Sequence, residues 1–263
     1  MPFLRRDDVS LYYELTEGRS PPVVLLHGWC CDHTFLAPQA AHLAARGHAV
    51  LSLDLRGHGR SDKPEQPYPI GAFSEDVAWI LGALGLARPV LVGHSMGGII
   101  AYDIAARWPD MPATIVMLDA AVVLPEAARA AVVASVAKLD GPDHAAVQRR
   151  MVEEVFFLPT DDPARREAIL ATMTAAPRHV MVAAYAGLGR YDAAAAGRAV
   201  APSLYIAANE PSPRCDMARL RGLLPELRQG QTVGSGHFCQ LEVPDQINAM
   251  IDRFLALVTA PEA

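Results

Sequence analysis

No uninterrupted apolar run in this chain approaches the length of a membrane span, so no transmembrane helix is expected. Nor is there a surplus of cations. The 23 Lys and Arg stand against 29 Asp and Glu, and the net charge is -6. The lack of a basic cluster to neutralise a run of phosphates argues against nucleic acid as a partner. Cysteine is sparse: Cys30, Cys31, Cys215 and Cys239 show no C-x-x-C spacing, and two of them are adjacent. That pattern argues against a disulfide framework or a zinc site and leaves free thiols in a reducing compartment. The opening residues, Met-Pro-Phe-Leu-Arg-Arg-Asp-Asp, hold no apolar h-region and no cleavage site, so a cytoplasmic location is expected. What the chain does have is apolar content, 51% against 20% charged, enough for a substantial core. Its 263 residues fit one large domain or one domain carrying an insertion.

The most informative stretch is Val90 to Ala101. Val90-Leu91-Val92 has the pattern of a buried strand, and Ile99, Ile100, Tyr102, Ile104 and Ala105 have helical spacing. Between them Gly93-His94-Ser95-Met96-Gly97 fits G-x-S-x-G. A strand that turns straight into a helix strains its turning residue and leaves no room for side chains two positions before and after it. The expected result is a serine with an exposed hydroxyl, Ser95, in front of a helix N-terminus.

Along the chain, Val9–Thr16 alternates with period two and predicts a half-exposed antiparallel strand. Glu17–Pro22 reads as a turn, and Val23–Leu26 as a strand covered on both faces that ends in His27-Gly28-Trp29. A helix over Thr34–Ala45, a strand over Ala49–Leu53 and a helix over Ile70–Leu84 lead to the serine motif. A buried strand, Thr114–Leu118, follows it and ends in Asp119. The next strand is Ser203–Ala207. The intervening stretch of about eighty residues is too long for a loop. Its helical periodicity and proline breaks predict an inserted helical cap over 122–198, with 1–121 and 199–263 forming the core. Val123, Leu124, Met151, Phe156, Phe157, Met173, Met181 and Tyr185 are either cap core or pocket wall. The chain closes with a short strand at Gln231–Val233 and a helix at Val243–Val258. Alternating strands and helices argue for a mainly parallel sheet with helices on both faces, an α/β protein.

Serine catalysis needs a base, a group to orient it and N–H donors for an oxyanion. Of nine histidines only His237, in Gly-Ser-Gly-His-Phe, sits in a glycine-flanked loop after a strand near the C-terminus. His27, His58 and His94 are better suited to holding loops. The expected donors are the backbone N–H groups of Met96, after the nucleophile, and of Trp29, after the first buried strand. Three candidates remain for the acid. Asp119 ends the strand beside the serine unit, Asp216 is equally suited to capping the helix through Leu220, and Glu210 lies in a proline-broken turn.

Together, His27-Gly28-Trp29, Asp54-Leu55-Arg56-Gly57-His58-Gly59-Arg60-Ser61, Gly93-His94-Ser95-Met96-Gly97-Gly98 and Gly236-His237-Phe238 resemble the motifs of α/β-hydrolase-fold proteins over almost the whole chain. The resemblance implies a mostly parallel eight-stranded sheet with helices on both faces and an inserted cap. It also implies a catalytic order of serine, acid, histidine. The commonest family position for the acid, a G-x-x-D turn after Ser203–Ala207, is missing here, while some members carry it after the preceding strand, where Asp119 stands. The expectation is a serine hydrolase of esterase or lactonase type acting on a small, largely apolar carbonyl compound, with Ser95, His237 and Asp119 as triad. No metal or organic cofactor is implied, the only partner expected is the substrate, and self-association is left open. The loop His27-Gly28-Trp29-Cys30-Cys31-Asp32-His33-Thr34 also resembles that of cofactor-free ring-opening dioxygenases. That likeness implies His237 as base, Asp119 as orienter and Ser95 as a substrate hydrogen bond. A small-molecule receptor on a hydrolase scaffold is the third reading.

Overall fold

The computed structural model describes residues 2–209 and 214–258. The strands are β1 (Phe3–Arg6), β2 (Val9–Thr16), β3 (Arg19–Leu26), β4 (His48–Leu53), β5 (Val90–His94), β6 (Thr114–Leu118), β7 (Ser203–Ala207) and β8 (Leu227–Gln231). They form one sheet in the order β1-β2-β4-β3-β5-β6-β7-β8, antiparallel at β1–β2 and β2–β4 and parallel from β4 onward. The helices of the core are α1 (Ala37–Ala45), α2 (Ile70–Leu84) and α3 (Met96–Arg107). Between β6 and β7 lie α4 (Glu126–Leu139), α5 (His144–Phe156), α6 (Pro163–Thr174), α7 (Arg178–Arg190) and the short α8 (Ala193–Ala196). Then come α9 (Met217–Leu223), α10 (Cys239–Glu242) and α11 (Pro244–Val258).

The two-residue period of the central strands divides their side chains between two apolar layers. Val24, Leu26, Leu91, Ile115 and Met117 face one layer with Phe73, Val77 and Ile80 of α2 and Ile99 and Ile100 of α3. Val23, Leu25, Val90, Val92, Val116 and Leu118 face the other, against Leu43 of α1 and Ile247, Ile251 and Phe254 of α11. Coverage on both faces is why β3, β5 and β6 read as continuous apolar runs.

Four local features depart from expectation. Arg19–Pro22 is not a turn but the start of β3, since Pro21 and Pro22 hold an extended backbone; the pairing with β4 shifts register between Arg19 and Val23. The last strand is Leu227–Gln231 rather than Gln231–Val233. Among the described residues it pairs with β7 alone, so it needs no apolar face, and the Val233 that suggested a strand is 74% exposed. Phe3–Arg6, not foreseen as a strand, pairs with β2. The helix expected from Thr34 begins as a 3-10 turn, His33–Leu36, capped by the Asp32 carboxylate, which accepts from the Thr34 N–H.

Candidate active site

The ends of β3, β5, β6 and the loop after β8 converge on one point. Ser95 joins β5 to α3 with φ 53° and ψ −117°, a strained conformation for a residue with a side chain. The flanking glycines are required by close approach. A Cβ on Gly93 would lie 2.1 Å from the Gly97 carbonyl oxygen, and one on Gly97 2.0 Å from that of Leu26. The Ser95 N–H donates to Leu118 O at 2.9 Å, which ties the turn to β6. Met96 is the first residue of α3, where backbone N–H groups have no intrahelical acceptor. The loop after β3 meets the same turn from the other side, since a Cβ on Gly28 would stand 3.2 Å from Ser95 Cβ.

That loop is anchored by groups the family motif hides in plain sight. His27 donates from Nδ1 to Gly28 O at 2.8 Å and accepts the Leu55 N–H at Nε2, 3.1 Å. The buried Asp54 carboxylate accepts from the His33 N–H (2.7 Å), from His33 Nδ1 (2.8 Å) and from the Arg60 N–H (2.8 Å), joining the two loops. Trp29 Nε1 donates to Met181 O of α7 at 2.9 Å, and its ring lies 4.8 Å from that of Tyr185.

His237 and Asp119 come together although 118 residues apart. His237 Nδ1 donates to Asp119 Oδ2 at 2.6 Å, and both side chains are buried. Asp119 turns its carboxylate there through a left-handed backbone, φ 44°, fixed by its N–H donating to Ile206 O at 2.8 Å. The Ala208 N–H donates to Oδ1 at 3.0 Å, and Arg214 Nε donates to Oδ2 at 2.8 Å. Burial alone would raise the Asp119 carboxyl. The hydrogen bond from His237, with the charges of His237 and Arg214, overrides it and holds the group at about 2. Burial, helped by Arg214 and opposed by Asp119, lowers His237 to about 4, so its imidazole is neutral at pH 7. With Nδ1 occupied by the carboxylate, the other ring nitrogen remains for proton transfer.

Asp216 lies elsewhere in role: its carboxylate accepts the Arg219 N–H at 3.0 Å and caps α9. Glu210 lies outside the described residues. His94 Nε2 donates to the His237 carbonyl at 2.8 Å, supporting the histidine loop from beneath. His58, also buried, donates to Arg56 O at 2.8 Å and stays in its turn. Of the apolar residues between β6 and β7, Leu124, Met151, Phe156 and Tyr185 line a cavity of about 240 Å³ together with Ser95, Met96, Asp119 and His237. Met173 lines a smaller adjoining space of about 40 Å³ with Gly28, Trp29 and Ser95. Met181 and Val123 are core, and Phe157 packs on Phe238. Cys30 and Cys31 are buried free thiols, pushed well up by desolvation and so unreactive at neutral pH.

Sequence reasoning missed Arg214, which touches the acid, and the stacking of Phe156 on His237 at 4.6 Å and 24°. Among the described residues no group of His, Cys, Asp and Glu is arranged to hold a metal ion, and no helix is long and apolar enough to cross a membrane.

The sheet order, the strained serine turn and the facing histidine loop define an α/β hydrolase. The model of the α/β hydrolase fold family matches residues 21–244, and the chain belongs to that family. It is 32% identical over 103 residues to a 2-(acetamidomethylene)succinate hydrolase from Mesorhizobium japonicum, a match covering 39% of this chain and 37% of that protein. The chain thus spans well under half the length of the first curated relatives it matches. Among solved structures, an N-acyl homoserine lactone degrading enzyme superposes with TM-score 0.80 at 27% identity, over 96% of this chain and 100% of the other. The enol-lactonase from Burkholderia xenovorans LB400 superposes with TM-score 0.82 over 97% and 100%; at 22% identity it speaks for the fold alone.

Proposed function

We propose that this chain is a serine hydrolase that cleaves small, largely apolar esters or lactones through an acyl-enzyme. The observation that carries the reading is the buried His237–Asp119 bond of 2.6 Å at the wall of a cavity that also holds Ser95. In this reading Ser95 Oγ attacks the carbonyl carbon while His237 Nε2 takes its proton. Asp119 keeps the Nδ1–H tautomer in place and stabilises the imidazolium. The Trp29 and Met96 N–H groups hold the oxyanion. Histidine then returns the proton to the leaving oxygen, and a water, activated by the same base, releases the acyl group.

The pocket's chemistry supports an apolar acyl group. Ile99, Leu124, Val132, Met151 and Leu188 line it, and its charged groups, Asp119 and Arg214, are bonded to each other. A volume of about 240 Å³ holds roughly ten non-hydrogen atoms at the packing density of organic matter. Residues 122–198 act as the cap that sets which acyl groups fit. The similar proteins named as a hydrolase and as a lactone-degrading enzyme agree with this chemistry. We place the enzyme in the cytosol, where its four buried thiols stay reduced.

The His–Asp pair would also serve as base in ring-opening oxygenation. The ordinary Gly-His-Ser-Met-Gly-Gly turn favours hydrolysis. The test combines fluorophosphonate labelling, a panel of p-nitrophenyl esters and lactones, and an oxygen electrode. Ser95→Ala is expected to keep the fold and lose both labelling and ester turnover. Undiminished hydrolysis in that variant would end the serine mechanism, and substrate-dependent oxygen uptake that survives it would establish the oxygenase. Tight binding without turnover would establish the receptor.

A further inference from the structure

Arg214 has no counterpart in the serine–histidine–acid scheme, yet it is built into the site. It stands in the stretch between β7 and α9, and its side chain reaches two elements at once. Its Nε donates to Asp119 Oδ2 at 2.8 Å, the same oxygen that accepts from His237 Nδ1 at 2.6 Å. Its Nη2 donates to Val155 O at 2.9 Å, a carbonyl of the last turn of α5. The guanidinium carbon lies 4.9 Å from the centre of the Phe156 ring, and that ring stacks on the His237 imidazole at 4.6 Å. A closed circuit results, running Arg214, Asp119, His237, Phe156 and back to Arg214.

We propose that Arg214 is a positioning residue: it locks the Asp119 carboxylate in its histidine-bonding orientation, ties it to the end of α5, and sets a fixed positive charge beside the His237 ring. The proposal rests on the reading of His237 as base and Asp119 as its orienter. The physics is that of two donors on one acceptor. Sharing Oδ2 puts the guanidinium Nε and the imidazole Nδ1 no more than about 5.5 Å apart, and a fixed positive charge at that range opposes a second one. Arginine alone supplies both the planar fork that reaches carboxylate and carbonyl together and the flat face that lies on an aromatic ring. The groups facing the His237 ring are Asp119, Arg214, the uncharged Phe156 and Phe238, and His94, whose ring centre is 4.7 Å away. His94 is itself neutral, held at about 3 by burial, so it adds no competing charge. The low position of His237 agrees with this arrangement: burial is its first cause and Arg214 its second.

The experiment titrates the His237 ring by NMR in the wild type, Arg214→Gln and Arg214→Lys. In parallel it records kcat and KM for p-nitrophenyl butyrate from pH 4 to 9. Loss of the charge in Arg214→Gln is expected to raise the His237 midpoint by about one pH unit, and the acid limb of kcat/KM with it. Arg214→Lys keeps a charge and so keeps the midpoint near the wild type. It lacks the fork, and kcat at pH 8 is expected to fall about tenfold with KM little changed. A His237 midpoint in folded Arg214→Gln equal to the wild type would overturn the electrostatic part. Wild-type kcat in Arg214→Lys would overturn the clamp, and that arm stands even if the glutamine variant does not fold. The ring titration needs no turnover. A raised midpoint in a protein that hydrolyses neither esters nor lactones would therefore sink the hydrolase reading and leave the role of Arg214 intact.

Discussion

Replacing Asp119 by asparagine changes one atom and leaves three donors with one acceptor too few. The carboxylate accepts from the Ala208 N–H at 3.0 Å on Oδ1 and from His237 and Arg214 at 2.6 and 2.8 Å on Oδ2. An amide offers one oxygen. If that oxygen faces His237 and Arg214, the amide NH₂ opposes the Ala208 N–H, and a buried donor without a partner costs about 1–3 kcal/mol. If the amide turns over, His237 faces a donor, adopts the other tautomer and presents an N–H to Ser95 instead of a lone pair. Either way the fixed negative charge behind the imidazolium is gone. The expected loss in turnover is on the order of ten-thousandfold, or about 5 kcal/mol of transition-state stabilisation. Ester hydrolysis is read beside urea unfolding, with Asp216→Ala as the control. That control removes the cap of α9 and is expected to cost about 1 kcal/mol of stability and no activity. Asp119→Asn within tenfold of wild-type turnover would refute the assignment.

His27, His58, His94 and His237 are all lowered by burial, the second and third to about 3 and the last to about 4. The unfolded chain therefore binds protons before the fold does, so their contribution is complete above pH 6.5 and is lost as pH falls below it. The urea midpoint is expected to drop between pH 7.5 and 5; a flat profile would contradict the buried, neutral state. Burial, and then the facing Asp161 carboxyl, raise Glu242 to about 7, against the hydrogen bond from the Gly236 N–H and the weaker pull of Arg165. A raised acid favours the fold while protonated and loses that advantage as pH rises through 7. Glu242→Gln is accordingly expected to raise the melting temperature at pH 8 and leave it unchanged at pH 5. Ala128→Phe should fill part of the 240 Å³ cavity. Each methylene then excluded weakens kcat/KM for longer acyl esters by about fourfold while acetate esters react as before.

What could be read from the chain was whatever local sterics dictate. Gly93 and Gly97 mark the turn because backbone atoms about 2 Å away forbid a side chain, and the limits of α2 and β6 follow from apolar pattern alone. The position of Asp119 at the end of β6 was equally legible. Its partnership with Arg214 was not, because a contact between residues 95 apart exists only once the sheet has formed. The strand at Leu227–Gln231 escaped notice for the opposite reason: an edge strand can be polar, so its residues carry no alternating signal. Phe156 could be named as pocket wall or core. Nothing in its neighbours on the chain says that its ring covers an imidazole.

Ser95 and Asp119 end neighbouring strands, and both hold a positive φ that glycine adopts more easily. Each such residue costs of order 1–3 kcal/mol against a relaxed backbone. The chain is therefore less robust than it could be at the two points where the proposed chemistry is concentrated. Anyone improving this protein by heat challenge alone will be led toward glycine at position 95 and will recover durable, silent variants. Directed selection should hold both positions fixed and look for robustness on the surface instead, for instance at the exposed Val133 and Val200. There, a polar replacement disturbs no strained bond.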